Sequence, residues 1–251
     1  MPDPWGDGVL RRFDRAAETY ASSAGLQQRV ARCLADHCRH HAIPNGLWVD
    51  LGSGTGYLAE ALERQHAGQR VLRIDGSRAM LRQHPSSADT LRWDLRTPLP
   101  RLPQPPTLLA SSFCLHWLPA PERILQQWLR HLAPEGWLAL ALPVEGCFPQ
   151  WHQAAAVSGA DCTALDFPCA ERLCRGLATD QLRLQEQLRC TVVAPSLPAL
   201  LKPLRRVGAD STHQPSLSVG AWRSLQKAWE DRGSDGQLRL TWVIQLLLIR
   251  R

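Results

Sequence analysis

The sequence predicts an α/β fold: a doubly wound, mostly parallel sheet, with a helical segment before it and a small helical cap after it. Three observations carry this reading. Between residues 47 and 143, short apolar runs alternate with amphipathic patterns, the rhythm of strands joined by crossover helices. The first run ends in an acid and three alternate glycines, Asp50-Leu51-Gly52-Ser53-Gly54-Thr55-Gly56. The next two runs also end in acids, Asp75 and Asp94. A chain of 251 residues matches one large α/β domain, a class that reaches about 250 residues.

Residues 13–42 read as a helix, because Leu26, Val30, Leu34 and Cys38 recur at a spacing of four. Pro44-Asn45-Gly46 stops it. Leu47–Leu51 is a buried strand, the glycine turn follows, and 57–66 is helical. Val71–Ile74 is the second strand, with Ser77 capping a helix to about Gln83. Thr90–Trp93 and Leu108–Ser111 are the third and fourth strands, separated by a proline-rich connection. Pro121 opens a helix to His131, and Trp137–Leu142 is the fifth strand. Residues 149–180 read as helices without strands, with Pro149 and Pro168 in first turns. Leu188–Val193 is a strand, Leu197–Val207 and Val219–Trp229 are helices, and Gln237–Ile249 is a long last strand. These late strands extend the sheet, one of them antiparallel.

Composition narrows the classes. Hydrophobic residues at 44% and charged residues at 21% exclude wholesale disorder. The apolar run Val243–Ile249 is broken by Gln245 and falls far short of the roughly 20 residues a membrane span needs. The N-terminus carries Asp3 and Asp7 with no apolar stretch, so no signal peptide is read and the expected location is cytoplasmic. The eight cysteines contain no C-x-x-C and are expected to be reduced. Cys33, His37, Cys38, His40 and His41 are zinc-ligand types, but no zinc-motif spacing accompanies them, and the sequence predicts no metal. Residues 170–251 carry thirteen Lys or Arg against seven acids, whereas residues 1–169 balance. Such an excess is either a solvated face or a surface for an acidic partner. No interleaved basic and aromatic stripe marks it for nucleic acid.

In a doubly wound sheet, ligands sit at the carboxyl ends of the strands. Gly52 to Gly56, Asp75, Gly76, Asp94 and Ser111-Ser112 all fall there. The glycines permit a tight turn and close approach of backbone to a ligand. Asp75, nineteen positions after Gly56, is placed for ribose hydroxyls, and no Walker lysine follows the loop, which argues against a triphosphate.

The acid, the three glycines and the acids at the next two strand ends resemble the class I, Rossmann-like methyltransferases that use S-adenosylmethionine. The resemblance implies that Asp50 supports the loop and the methionine amino group, and that Gly52, Ser53, Gly54 and Gly56 form the turn beneath the cofactor. Asp75 and Gly76 meet the ribose, Asp94 and Leu95 border the adenine, Met80 packs beside it or is simply core, and Ser111 closes the site. The whole chain is similar to the malonyl-acyl-carrier-protein methyltransferases of biotin synthesis. The similar segments are Phe13–Tyr20, Ser111–Trp117, Val144–Gly146 with Pro149–His152, Gly208-Ala209-Asp210 and Leu240-Thr241-Trp242. Departures stand at Thr107, Ser112, Arg239 and Trp242, where relatives often carry an acid, Asn, Tyr and Tyr.

This resemblance implies methyl transfer to the free carboxylate of a malonyl thioester, carried by acyl carrier protein or coenzyme A. The product is a methyl ester that starts pimeloyl synthesis. No catalytic acid or base is expected, since a carboxylate with a reference pKa near 4 is already ionised. Tyr20, His116 and Trp117 are the expected substrate-binding residues, each with a plain packing or loop role as the alternative. An arginine is expected to hold the carboxylate, but the sequence does not single it out. Lys202, Arg205 and Arg206 share a helix and are the expected carrier-protein docking residues, or else a solvated face. The chain is read as a helical segment (1–46), a cofactor-binding core (47–143), a helical cap (144–187) and a C-terminal part of the sheet with basic helices (188–251). A monomer is expected, with no nucleic acid or membrane partner. The alternatives are a methyltransferase for another small molecule, such as a quinone precursor or small acid, and a non-catalytic S-adenosylmethionine-binding or nucleic-acid-binding protein.

Overall fold

The computed structural model describes residues 3–207, 217–231, 233 and 236–251. Two helices, α1 (Pro4–Ser23) and α2 (Gly25–Arg39), precede the sheet. The predicted single helix over 13–42 is therefore corrected: helix begins at Pro4 and breaks at Ala24, whose φ of −91° and ψ of 29° leave the helical region. Ser22-Ser23-Ala24-Gly25 is a weak helix-forming run. The break has a use. It lets α1 lie along α4 (Arg78–Leu81) and α8 (Leu197–Arg206), while α2 packs on α3 (Tyr57–Gln65) and the sheet.

The strands are β1 (Trp48–Leu51), β2 (Val71–Asp75), β3 (Thr90–Arg92), β4 (Leu108–Ser112), β5 (Trp137–Pro143), β6 (Leu182–Ala194) and β7 (Leu238–Arg250). They form one sheet in the order β3-β2-β1-β4-β5-β7-β6. The first five are parallel; β7 runs antiparallel to β5, and β6 antiparallel to β7. The order reverses between β1 and β4, and their carboxyl ends open a crevice there. β1 and β5 are buried throughout, as strands covered on both faces should be. Helix α5 (Pro121–His131) covers part of the sheet through Ile124, Leu125, Trp128 and Leu129.

Two further boundaries differ from the sequence reading. β6 starts at Leu182, six residues before the predicted Leu188. It is an edge strand whose alternate residues are half-buried, but Glu186 holds one of the half-buried positions and pairs with His37 at 3.3 Å. An acid in the apolar phase hid the alternation. The region read as continuous helices contains α6 (Pro149–Ser158) and the short α7 (Ala170–Cys174), with non-helical chain between them. Pro149 opens α6 as predicted, whereas Pro168 precedes the Cys169 cap of α7. Helix α9 (Val219–Lys227) precedes the final strand. The Gly208-Ala209-Asp210 segment lies outside the described residues. Among the described residues no helix is long and apolar enough to cross a membrane, and no group of three metal-ligating side chains converges.

Candidate active site

The glycine turn sits at the top of β1. Gly52, Gly54 and Gly56 have φ of +72°, +52° and +98°, backbone that side-chain-bearing residues rarely adopt. A Cβ at Gly52 would lie 2.2 Å from the Cys114 sulfur, so this position is closed by sterics as well as by conformation. At Gly54 nothing stands within 4 Å of where a Cβ would be, so the turn presents bare backbone to open space. The Gly52 and Ser53 N–H groups both donate to the Ile74 carbonyl, at 2.8 and 3.0 Å, tying the turn to β2.

Two buried acids flank the turn. Asp50 is 1% exposed and accepts one bond, from Ala59 N at 3.1 Å. Burial pushes its pKa up to about 7, against the pull of the Ala59 bond and the buried Arg73 guanidinium. Asp75 accepts from Gly54 N (2.8 Å) with one oxygen and from Ser77 N (2.7 Å) with the other. Burial raises its pKa too, opposed by those backbone bonds. A carboxylate offers about four acceptor positions, so Asp75, which also feels the Gly76 N–H, retains acceptor capacity for a ligand.

These groups line a cavity that also takes in Gly76, Met80, Asp94, Leu95 and, from α1, Gly6, Val9, Leu10 and Phe13. Nine of the eleven predicted cofactor residues line it. Gly56 and Ser111 stand behind it. The Ser111 hydroxyl is used on the Leu51 carbonyl at 2.7 Å, and its neighbour Ser112 faces the cavity, as side chains alternate along a strand. The Asp94 carboxylate receives four contacts from Arg96, at 2.7 to 3.0 Å. Arg96 also reaches Asp3 (3.1 Å) and Asp7 (2.7 Å) on or beside α1. The Asp94–Arg96 pair thus pins α1 over the cavity, a part the sequence reading missed because the two anchoring acids lie about 90 residues away. Ser77 caps α4 as predicted, accepting from Met80 N, and its hydroxyl donates to Asp14 of α1 at 2.6 Å.

A second cavity adjoins the first. Phe13, Tyr20, Gln27, Phe113 and Trp117 line both. The outer chamber is mostly aromatic: Phe148, Phe167 and Trp242 form its wall, with ring centroids 4.5 to 6.3 Å apart. Phe113 and Phe148 sit on left-handed backbone, φ +54° and +58°, a strain of order 1–3 kcal/mol each that surrounding packing must hold. His116 borders the outer chamber, and burial drives its pKa down to about 3, leaving it neutral. Its Nδ1 is buried without a partner, as is Trp151 Nε1. Trp117 packs edge-on against Phe13 and beside His116, at 5.8 and 4.9 Å. Tyr20 stacks on Tyr57 at 6.1 Å. Arg205 borders the outer chamber from the exposed face of α8, whereas Lys202 and Arg206 are exposed outside it. Among the described residues no other arginine lines this chamber. Of the histidine and cysteine cluster, Cys38 is core, His37 meets Glu186 and His41 stacks on Trp137.

The inner cavity fits S-adenosylmethionine: an acid for its ammonium, acceptor capacity for its ribose hydroxyls, bare glycine backbone between them and apolar side chains around them. A family profile described as a methyltransferase domain matches residues 49–140. A crystal structure of a methyltransferase from Bacillus halodurans superposes with a TM-score of 0.59 at 12% identity, covering 86% of this chain and 97% of that one, which speaks for the fold. Residues 49–140 thus form a methyltransferase domain, set in a doubly wound fold shared with that solved structure. More particularly, the chain is similar to the malonyl-[acyl-carrier protein] O-methyltransferase of Alcanivorax borkumensis, 29% identical over 95% of this chain and 84% of the relative. It is also similar to the biotin biosynthesis bifunctional protein BioCD of Bordetella avium, 28% identical over 90% of this chain. The chain spans about half (49%) of that longer relative.

Proposed function

We propose that the protein methylates the free carboxylate of a malonyl group held as a thioester on acyl carrier protein, giving a methyl ester for biotin synthesis. The observation that carries this reading is the ring-lined chamber joined to the cavity of the glycine turn and its two acids, in a chain similar along most of its length to malonyl-[acyl-carrier protein] O-methyltransferases. The reaction runs in the cytoplasm, with the enzyme as a monomer.

When bound, S-adenosylmethionine supplies an electrophilic methyl on a sulfonium. Asp50 holds the ammonium of its methionine part, Asp75 takes the ribose hydroxyls, and Met80 and Leu95 pack the adenine. The acceptor carboxylate is ionised at neutral pH, so no side chain has to remove a proton. What the chain supplies is alignment and dryness: the rings exclude water, and oxygen, carbon and sulfur are held in line. Neutral His116 fits this role, since it adds no charge beside the sulfonium. The segment 148–167 roofs the chamber, and Arg205, Lys202 and Arg206 attract the acidic carrier at its mouth.

The test uses S-adenosylmethionine labelled in the methyl group and malonyl-acyl-carrier protein. The proposal expects label on the carrier that alkali releases as volatile methanol. Label that stays non-volatile would mean transfer to nitrogen or carbon and would overturn it.

A further inference from the structure

We infer that Gln27 binds the acceptor carboxylate, its side-chain amide donating to the oxygen that is not being methylated; this rests on the carboxyl-methylation reading above. Gln27 lies on α2, on the buried face with Leu26, Val30 and Leu34, at a position where a helix of this kind normally carries an apolar residue. It is 8% exposed. Its side chain lines both cavities, which places it where cofactor and acceptor meet. Its amide makes no hydrogen bond to any described residue, although its neighbour Gln28 bonds the Ala21 carbonyl. The unpartnered amide is thus open to the cavities it lines and free to bond a ligand there. At this point of the fold the ligand is the reacting group itself.

The chemistry of the junction favours an amide over the arginine expected from the sequence. Among the described residues the shared lining is Phe13, Tyr20, Gln27, Phe113 and Trp117, with no charged side chain. Arg96 lines the inner cavity, but its guanidinium is engaged by Asp3, Asp7 and Asp94. Arg205 is exposed on α8 and borders only the outer chamber. A guanidinium at the junction would repel the sulfonium and would draw electron density from the attacking oxygen. The sulfonium already provides the counter-charge for a buried carboxylate. An amide N–H fixes the carboxylate's orientation and leaves one oxygen free to attack. The Tyr20 hydroxyl and the Trp117 indole N–H are the other donors available there.

The experiment compares wild type, Gln27→Leu and Gln27→Glu on malonyl-acyl-carrier protein, with S-adenosylmethionine affinity measured by calorimetry as the check on folding. Gln27→Leu should lower kcat/KM by about 10- to 100-fold, the loss of one or two hydrogen bonds to a charged group, with cofactor affinity within twofold. Gln27→Glu should be more impaired at pH 8 than at pH 6. Its carboxylate repels the acceptor when ionised and replaces the amide donor when protonated. Tyr20 and His116 do not titrate in that window, since burial pushes the tyrosine up and the histidine down to about 3. Asp50, which burial brings to about 7, does titrate there but is common to all three proteins, so each variant's rate is taken relative to wild type at the same pH with saturating cofactor. A purely packing role would give no such pH rescue. Wild-type rates in Gln27→Leu, or a pH-independent loss in Gln27→Glu, would overturn the assignment while leaving the substrate reading standing. An inactive wild type would remove the substrate reading, and this assignment with it.

Discussion

The two adjoining cavities are built by opposite means. The floor of the inner one is made of backbone and acids from neighbouring strand ends, and α1 closes it. Its shape depends on three left-handed glycines and on two carboxylates, each held by backbone N–H groups. The outer one is made of rings drawn from Phe13 to Trp242, two of them on strained backbone. On the proposed reading the inner cavity recognises its cofactor by hydrogen bonds to the turn and the two acids. The outer one offers a ring-walled shape, so its substrate is set by what can enter and by what meets the donors at the junction. A fold of this kind can keep the first cavity and exchange the second to act on new substrates.

Substitutions should separate the two. The largest effect is expected at Gly52→Ala. Left-handed backbone costs about 1–2 kcal/mol, and overpacking against Cys114, 2.2 Å from the added Cβ, costs about 1–3 kcal/mol more. Denaturant midpoints should fall accordingly, and cofactor binding should weaken with them. Next, Asp75→Ala should weaken cofactor binding by about 1–3 kcal/mol through lost charge-assisted bonds. Calorimetry giving the wild-type affinity would remove Asp75 from the site. Trp242→Leu should do the reverse, lowering kcat/KM for the acceptor by about tenfold or more while cofactor affinity stays within twofold. A parallel loss of both would mean the cavities are one cooperative unit.

A smaller, pH-dependent effect follows from Asp50. Burial holds its pKa near 7 in the empty protein, so it is partly protonated below that value. A cofactor ammonium favours the ionised form, so affinity should rise as pH climbs from 6 to 8, level off above, and at pH 6 binding should release a proton. Calorimetry in buffers of different ionisation enthalpy reads this directly. The smallest effect is expected at the rim. Charge reversal at Arg205 and Arg206 should raise KM for a carrier-bound substrate, most at low salt, and leave a small malonyl thioester unchanged.

The same contrast explains what the sequence disclosed. The inner cavity was legible because its residues are close in sequence and its chemistry needs particular types: glycine where φ is positive, acids at strand ends. Met80 and Leu95 followed only from the resemblance to class I methyltransferases. Gly56 and Ser111 were read as lining residues because the turn and the strand end are contiguous, but strand alternation puts Ser112 in the wall instead. Gln27, Phe148 and Phe167 were not legible as site residues. Each looks like an ordinary helix or loop residue, and only the fold brings them together. Trp242 was visible as a departure from relatives, without a hint that it walls the chamber. Arg96 was hidden because its partners Asp3 and Asp7 are far away in the chain, and the break at Ala24 because its reason is tertiary.

The most direct test of the central claim is the intact mass of malonyl-acyl-carrier protein after incubation with enzyme and S-adenosylmethionine, beside the acetyl and succinyl forms. The account predicts one added methyl on the malonyl form, and none on the acetyl form, which has no free carboxylate. A methyl on the acetyl form, or none on the malonyl form while calorimetry shows bound cofactor, would contradict it.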